Sequence, residues 1–194
     1  YTKEDIEIVG LIKESDSGNK WYDRFRGRIL FPIFDSMHRV VAFSGRIFDD
    51  GSVSKDDLDK AAKYLNSPET PLFNKSEILY GYQRAKTGIR KNDFAILVEG
   101  QFDVVLTHQA GYGNAVAVSG TSLTEQHVKM LNRITSKLVI ALDSDSAGVR
   151  ASEKAWNLAL AAGMDVKVAV LPEGKDPADV ITENIEDWKH AIRD

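Results

Sequence analysis

The sequence predicts an α/β protein in which a parallel sheet flanked by helices follows a smaller α+β subdomain with a basic β-hairpin. Beyond residue 92, short apolar runs alternate with longer helical patterns, which is typical of βαβ units and a parallel sheet. One of these runs, residues 138–142, is uniformly apolar, as expected of a strand buried on both faces. Before residue 49, two segments alternate in polarity on either side of a turn, which favours a hairpin.

The composition is that of an ordinary globular protein. The chain has 194 residues, 43% hydrophobic and 28% charged, enough for one domain with a core and a smaller appendage. It contains no cysteine, which excludes disulfides and cysteine-ligated zinc and fits a reducing cytoplasm. No apolar run approaches the roughly 20 residues of a membrane helix, and no signal peptide is visible. Because the chain begins at Tyr1 without an initiator Met, we expect an excised fragment.

Charge is unevenly distributed along the chain. The net charge of −4 argues, for the chain as a whole, against a nucleic-acid binder. Between Lys20 and Arg46, however, basic residues outnumber acids, so the remainder is more acidic than the total suggests. A basic part and an acidic part together suit an enzyme that binds metal and phosphate, although a solvated face has the same composition.

The first part of the chain is predicted to hold a helix, a hairpin and connecting loops. Pro32 cannot donate a backbone hydrogen bond, so its strand should lie at a sheet edge or bulge there. The expected elements are a helix within residues 1–18, strands at 21–35 and 39–48 around a turn at 36–38, a surface loop at 49–59, irregular chain at 63–70 and a helix at 73–85. Composition changes at residues 86–92, which predicts a boundary between domains 1–88 and 89–194.

Beyond this boundary, strands and helices are predicted to alternate. The expected strands are 94–98, 115–118, 138–142 and 166–170. The expected helices are 102–110, 122–133, 147–162 and 177 to the end. Ser122 and Glu125 are spaced as a capping box that begins the second of these helices, and Gly111 and Gly163 are placed to end the first and third.

Acidic side chains follow three of the predicted strands. Glu99 comes directly after the first strand, Asp143 and Asp145 after the third, and Asp176 after the fourth. The carboxyl ends of parallel strands meet at one edge of the sheet, where open α/β sheets bind ligands. Asp143 and Asp145 would be about 6.6 Å apart in an extended chain, so a cation would relieve their repulsion. Glu99, Asp143 and Asp145 together therefore indicate a Mg²⁺ site with oxygen ligands, with Asp176 as a further candidate, although any one of these acids alone is better explained as a helix cap.

Other polar residues carry weaker signals. Asp103, in the first turn of its helix, is as consistent with a favourable interaction with the helix dipole as with catalysis. Residues 119–122 could hold phosphate at a helix amino end, but a single glycine is a weak signal. Arg24, Arg26 and Arg28 form a row for which a charged solvent face is the ordinary explanation and phosphate binding the alternative. The four histidines have no metal-ligand spacing.

Several motifs resemble a known family. Leu97-Val-Glu-Gly100 together with Asp143-Ser-Asp-Ser-Ala-Gly148 is similar to the TOPRIM domain, a metal-binding fold shared by primases, topoisomerases and some nucleases. Lys63-Tyr-Leu-Asn-Ser-Pro-Glu-Thr70 narrows the resemblance to the bacterial replicative primase of the DnaG type, because this string is specific to primase. Further stretches resemble the same family at residues 22–33, 43–46, 120–124 and 171–177.

The resemblance implies roles for individual residues. It implies that Glu99, Asp143 and Asp145 are catalytic acids that bind Mg²⁺ or Mn²⁺, supported by Asp103 and Asp176. It also implies a basic surface that binds nucleoside triphosphates, the template and the alarmone (p)ppGpp, formed by Arg24, Arg26, Arg46, Lys63, Asn66 and Lys75. The chain departs from the family at Asp176-Pro-Ala178, where Asp-Pro-Asp is common, so an outer ligand is lost or replaced by Asp179.

The implied reaction is synthesis of short RNA primers from nucleoside triphosphates on a single-stranded DNA template at the replication fork. In the family this occurs in the cytoplasm, within the nucleoid and without a membrane, and the full-length protein binds the replicative helicase. The zinc ribbon, the start of the polymerase core and the helicase-binding tail of the family are absent from the chain, so we expect weak priming by this fragment. The alternatives are another TOPRIM protein, such as a topoisomerase or nuclease, and a non-catalytic TOPRIM scaffold.

Overall fold

A computed structural model describes residues 1–15, 18, 20–48, 51 and 62–193. These residues form two compact units, Tyr1–Asn74 and Lys75–Asp194. The loop predicted at 49–59 lies outside the described residues, apart from Gly51. The division into domains 1–88 and 89–194 stays a prediction.

The first unit is built from short antiparallel strands. Its elements are α1 (Lys3–Ile8), β1 (Ile12–Glu14), β2 (Trp21–Asp23), β3 (Arg28–Phe34), β4 (Val40–Ile47) and β5 (Tyr64–Asn66). The strands β1 and β2 pair with each other, and a second sheet has the order β3-β4-β5. The predicted hairpin is confirmed as β3 and β4, which register from Arg28 opposite Ile47 to Phe34 opposite Val40.

Pro32 lies where its missing donor is tolerated. The strand β3 is at the edge of its sheet, and the register shifts between Ile33 and Phe34. Both alternatives predicted from Pro32 are therefore present. Beneath the hairpin, Phe25 and Phe43 pack edge to face with their ring centroids 6.2 Å apart.

Three predicted elements of the first unit are wrong. Residues 63–70 are not irregular throughout, because Tyr64–Asn66 form β5 and pair with β4. The helix within residues 1–18 ends at Ile8, because Gly10 takes a left-handed φ of +74° with Pro68 against it, and the chain continues as β1. The single strand at 21–35 is two strands separated by a turn, which ends at Gly27 with φ +62°. The alternating arginines therefore do not share one strand face: Arg24 and Arg26 are in the turn, and only Arg28 is in β3.

The second unit is a parallel sheet flanked by helices, as predicted. A 3₁₀ turn at Lys75–Glu77 precedes the strands β6 (Ala95–Val98), β7 (Ala115–Ala117), β8 (Lys137–Ile140) and β9 (Asp165–Val168). The helices are α2 (Tyr82–Asn92), α3 (Gln101–Gln109), α4 (Glu125–Asn132), α5 (Ser146–Ala161), α6 (Pro177–Glu183) and α7 (Ile185–Arg193). In the described part of the chain the strand order is β7-β6-β8-β9, and every pairing is parallel.

The entry to the second unit differs from the prediction. The helix expected at 73–85 is not present before residue 82, because Tyr80 makes a β-bridge with Ala117 and Gly81 takes a left-handed φ of +79°. The helix α2 begins only after this glycine, and it includes residues 86–92, which composition alone marks as a linker. The start of α4 also differs: its capping box is Thr124 with His127, and not Ser122 with Glu125.

Burial on both faces explains why apolar and polar residues do not alternate along the central strands. All four residues of β6 have no exposed surface, since helices pack on both faces of the sheet. Leu97 and Ile140 pack on one face with Leu131, while Ile96 and Val139 pack on the other. None of the helices in the described residues has the length and apolar character that a bilayer crossing needs.

Candidate metal centre

The strand order places two of the predicted acids at neighbouring strand ends. From β6 the chain crosses to β7 on one side and then returns to β8 on the other, so the order reverses between β6 and β8. Ligands of open α/β sheets bind in the crevice at such a reversal. Glu99 directly follows β6, and Asp143 follows β8 after two further buried residues. Both acids therefore lie at the edge of the sheet where a ligand is expected.

The structure brings the predicted acids into one electrostatic cluster. We define the acid cluster as Glu99, Asp103, Asp143, Asp145 and Asp176. Burial raises the pKa of Glu99, which is exposed at the rim but partly surrounded by protein, and the charges of Asp145 and Asp176 raise it further. The charge of each of the other four acids contributes to the raised pKa of Asp143. Each of the other four acids therefore lies close enough to Asp143 to repel its charge.

Asp143 has the most strongly raised pKa of the acid cluster. Burial, together with the charges of Glu99, Asp103, Asp176 and Asp145, raises its pKa from 3.8 to about 7. Its Oδ1 atom is buried and has no hydrogen-bond partner among the described residues. A buried carboxylate oxygen without a donor is costly, so this atom is a natural place for a cation.

Asp145 and Asp176 also cap helices, as the alternative interpretation of the sequence predicts. The Oδ1 atom of Asp145 accepts hydrogen bonds from the backbone N–H groups of Ala147 at 2.9 Å and Gly148 at 2.7 Å, at the start of α5. The Oδ1 atom of Asp176 accepts the N–H of Asp179 at 2.7 Å, at the start of α6. Capping fixes where these carboxylates lie and uses Oδ1 of each, so it is compatible with a cation at the other oxygen.

The carboxylate of Asp103 accepts hydrogen bonds from backbone N–H groups, in addition to lying in the first turn of α3. It is buried and accepts the N–H of Gly100 at 2.8 Å, and the N–H of Ala178 donates to the same carboxylate. Burial raises the pKa of Asp103 to about 6, because its two backbone hydrogen bonds only partly offset the loss of water. Asp103 therefore ties the start of α3 to the start of α6.

The departure from the family at residues 176–178 has a structural counterpart. Ala178 is buried, and its N–H is used by Asp103. Asp179 is exposed and its charge acts on Lys175, whereas the acids that raise the pKa of Asp143 are the other members of the acid cluster. A replacement of the missing family carboxylate by Asp179 therefore stays a prediction.

The carboxylate oxygens of the acid cluster are the ligand type that Mg²⁺ prefers, but they do not surround a metal ion on all sides. Within the described ranges, no group of three or more histidine, cysteine, aspartate or glutamate side chains is arranged to hold a metal ion. Mg²⁺ usually keeps several waters and binds through one or two carboxylates together with substrate phosphates. The acid cluster, with the unpartnered oxygen of Asp143, suits that mode of binding better than a site made by protein alone.

The predicted basic residues of the first unit gather around β5. The Nη2 atom of Arg24 donates to the backbone oxygen of Asn66 at 3.4 Å, and Arg46 donates to the Tyr64 hydroxyl at 3.4 Å. Arg46 also lies over the Tyr64 ring, 5.8 Å from its centroid. Lys63 directly precedes β5 and is exposed. Three of the predicted binding residues thus lie beside β5, and a fourth, Asn66, is the last residue of that strand.

The remaining members of the arginine row are placed differently. Arg26 is exposed and lies over the Tyr22 ring, 5.1 Å from its centroid. Arg28, which the resemblance does not include in the basic surface, donates to the backbone oxygens of Gly45 and Ala62, each at 2.9 Å. Arg28 therefore holds the sheet together, while Arg26 can reach a ligand in solvent.

Lys75 belongs to the second unit, where it begins the 3₁₀ turn Lys75–Glu77. Hydrogen bonds from two side chains of α4 and its cap fix the backbone of this turn. His127 is fully buried, and its Nε2 atom lies 3.0 Å from the backbone oxygen of Lys75. The Thr124 hydroxyl donates to the backbone oxygen of Ser76 at 2.6 Å. The spacing Thr124-x-x-His127 is that of a capping box, but histidine is not the usual partner, so the motif was overlooked.

At residues 119–122, the possible phosphate site, the N–H and hydroxyl groups of Ser119 already make hydrogen bonds within the protein. The N–H of Ser119 donates to the backbone oxygen of Glu99 at 3.0 Å, and Gln101 donates to the Ser119 hydroxyl. Because the helix α4 begins at Thr124, these residues lie outside its first turn. Their role is to brace the loop that follows β7 against Glu99.

Two family models match the chain in its two halves. Residues 1–86 match the DNA primase catalytic core, N-terminal domain, and residues 96–181 match the Toprim-like family. The DNA primase of Listeria monocytogenes is 47% identical over 174 residues, which is 89% of this chain and 26% of that protein. The chain belongs to the catalytic core of the DnaG-type bacterial primases. It spans about a quarter of the length of this curated relative.

Solved primase structures share the fold. A DNA primase domain from Pseudomonas aeruginosa has a TM-score of 0.84 and 38% identity, covering 97% of this chain and 57% of that one. A DnaG primase catalytic domain bound to single-stranded DNA has a TM-score of 0.81 and 34% identity, again covering 97% of this chain and 57% of that one. The expected fold class, a TOPRIM-type parallel sheet after an antiparallel subdomain, is confirmed.

Proposed function

We propose that the chain is the metal-binding part of a DNA primase that synthesises short RNA primers from nucleoside triphosphates on single-stranded DNA. The observation that carries this proposal is the acid cluster, which gathers five carboxylates at the order reversal of the sheet, one with a buried oxygen that has no partner. A single-stranded DNA complex of a similar catalytic domain supports the choice of template.

We assign the catalytic role to Glu99, Asp143 and Asp145. These residues would hold Mg²⁺ or Mn²⁺, with Asp103 and Asp176 behind them. The bound cation would lower the pKa of the attacking 3′ hydroxyl and neutralise the departing pyrophosphate. The cap of α5 orients Asp145, and the burial of Asp143 keeps competing water away from its free oxygen.

The basic residues would position the nucleotide and the template. Arg46, stacked on Tyr64, and Arg24, bonded to Asn66, are partly immobilised before a ligand binds, which lowers the entropy cost of holding phosphate. The proposed binding set is Arg24, Arg26, Arg46, Lys63, Asn66 and Lys75, and we propose that it also accepts (p)ppGpp. In the complete protein we expect the replicative helicase as partner and the nucleoid as location.

Replacing Asp143 by Ala is expected to weaken Mn²⁺-dependent binding of ATP by roughly tenfold or more, because even indirect changes at metal sites cost that much. The measurement is isothermal titration calorimetry of ATP with Mn²⁺ on the unchanged chain and the variant. Asp187→Ala, at an exposed carboxylate of α7, is the matched control and should leave the affinity unchanged. Equal affinity in the unchanged chain and Asp143→Ala would instead favour a non-catalytic TOPRIM scaffold.

Replacing His127 by Phe is expected to weaken ATP binding several-fold, because the backbone of Lys75 loses its buried hydrogen bond. The unpaired oxygen should also cost about 1–3 kcal/mol of the free energy of unfolding. The measurement is a double-mutant cycle of ATP affinity with Lys75→Ala. If His127 acts through Lys75, the histidine change should have little further effect once Lys75 is replaced; an undiminished effect would contradict this role.

A further inference from the structure

Ser144, between the two aspartates that follow β8, is bonded to a distant loop. Its backbone N–H donates to the backbone oxygen of Lys175 at 3.2 Å, and its hydroxyl accepts the N–H of Lys175 at 3.0 Å. The hydroxyl also lies 2.7 Å from the backbone oxygen of Pro172 and 3.0 Å from that of Lys175. A serine hydroxyl has one proton, so it donates to one of these oxygens at a time, and the shorter distance favours Pro172.

The loop that Ser144 holds leads directly into the acid cluster. Residues 172–175 form a turn, with the N–H of Lys175 also directed to the backbone oxygen of Pro172 at 3.1 Å and Gly174 at φ +73°. The next residue is Asp176, which caps α6 and contributes to the raised pKa of Asp143. The hydrogen bonds of Ser144 therefore help to set the position of Asp176 relative to Asp143 and Asp145.

Such a tie is needed because like charges separate when nothing holds them. The carboxylates of Asp145 and Asp176 both repel that of Asp143, and Asp176 is far from the other two in sequence. Asp145 and Asp176 are each anchored to their own helix, but these caps do not connect one segment to the other. Ser144 provides that connection in addition to the packing of the sheet.

We propose that Ser144 is a positioning residue that holds the turn before Asp176 against the Asp143–Asp145 segment, so that the acid cluster is assembled before a divalent cation arrives. The inference rests on the proposed function, in that the acid cluster is taken to bind the cation. Ser144 itself need not touch the metal or the substrate. Its hydroxyl acts through the backbone of Pro172 and Lys175.

The test compares Ser144→Ala with Ser144→Thr, which keeps the hydroxyl. In Ser144→Ala, amide hydrogen exchange at Lys175 should become at least several-fold faster than in the unchanged chain, because its N–H loses a partner. The affinity for Mn²⁺, followed by the loss of the free-ion electron paramagnetic resonance signal, should fall roughly three- to tenfold. Ser144→Thr should restore both values to near those of the unchanged chain. Ser146→Ala, an exposed serine in the first turn of α5, is the control and should change neither.

The outcomes separate this inference from the function on which it rests. Faster exchange at Lys175 with weaker Mn²⁺ binding, rescued by threonine, supports the positioning role. Equal Mn²⁺ affinity in Ser144→Ala and the unchanged chain overturns the positioning role and leaves the metal-dependent function standing. Failure of the unchanged chain to bind Mn²⁺ overturns both. Unchanged exchange at Lys175 overturns the role of the hydroxyl, whatever the affinity does.

Discussion

Replacing Asp143 by Asn is expected to raise the thermal stability of the metal-free chain at pH 8 and to weaken Mg²⁺ binding by roughly tenfold or more. The two effects have opposite sign because one carboxylate is responsible for both. Without metal, the charge of Asp143 is partly buried beside four other carboxylates and destabilises the fold. With metal, the same charge would serve as the proposed ligand, and asparagine would supply a weaker one.

The pH dependence of stability follows from the direction of the pKa shift. The pKa of Asp143 is raised in the folded chain to about 7 from the value of 3.8 expected when unfolded. Between these values the folded chain binds more protons than the unfolded chain, so the free energy of unfolding falls as the pH rises. After allowance for solvent screening at this half-exposed group, the effect is about 1–2 kcal/mol, or a few degrees in Tm.

Differential scanning calorimetry at pH 4 and pH 8 without metal checks this prediction. The gain in Tm of Asp143→Asn over the unchanged chain should be present at pH 8 and nearly absent at pH 4, where Asp143 is protonated in the folded chain. Mg²⁺ should stabilise the unchanged chain at pH 8 and have a smaller effect on the variant. Asp187→Asn removes the same formal charge at an exposed site and should show neither pattern. A lower Tm for Asp143→Asn at pH 8 would contradict the prediction.

Replacing Gly148 by Ala is expected to lower the Tm by several degrees and to weaken Mn²⁺ binding. A Cβ atom at Gly148 would lie 2.1 Å from the backbone oxygen of Asp143 and 2.8 Å from its carbonyl carbon. These are backbone atoms of the acid-bearing segment, so they cannot move aside as a flexible side chain would. The start of α5 and the Asp143–Asp145 segment must separate, at a cost of roughly 1–3 kcal/mol or more.

Helix propensity acts in the opposite direction and is too small to compensate. Alanine is better than glycine inside a helix by about 1 kcal/mol, but a contact of 2.1 Å exceeds what local adjustment can absorb. Gly113→Ala is the matched control, because its Cβ would meet nothing within 4 Å and its φ is not positive. The measurements are the Tm from circular dichroism and the Mn²⁺ affinity from titration, each compared between the two variants. A Gly148→Ala chain as stable as the Gly113→Ala chain would show that the segment can relax.

The sheet and the position of the acids could be predicted from the sequence because each depends on a local pattern. The apolar run at residues 138–142 has no polar residue to face solvent, and it contains a strand buried on both faces. Glu99 and Asp143 immediately follow such runs, so a parallel sheet places them at one edge whatever the details of the helices. Their roles as catalytic ligands remain predictions.

The elements that were missed depend on contacts between distant residues. Nothing local marks Tyr80 as the partner of Ala117 in a β-bridge, and this pairing delays α2 until after Gly81. Ser144 looks like an ordinary turn residue, yet the backbone oxygens near its hydroxyl are 28 and 31 residues away in the chain. His127 is similarly recognisable only when the carbonyl of Lys75 is seen beside it.

The parallel pairing of β6 with β8 has a consequence for when the protein can respond to divalent ions. Parallel neighbours need long crossovers, and here α3, β7 and α4 all come between the two strands in the chain. Glu99 and Asp143 are therefore far apart in a nascent or denatured polypeptide, and they come together only when β6 and β8 pair. If the acid cluster binds Mg²⁺ as proposed, the ion cannot bind there before these strands have paired, so the number of ions bound per chain should report what fraction of a preparation is native.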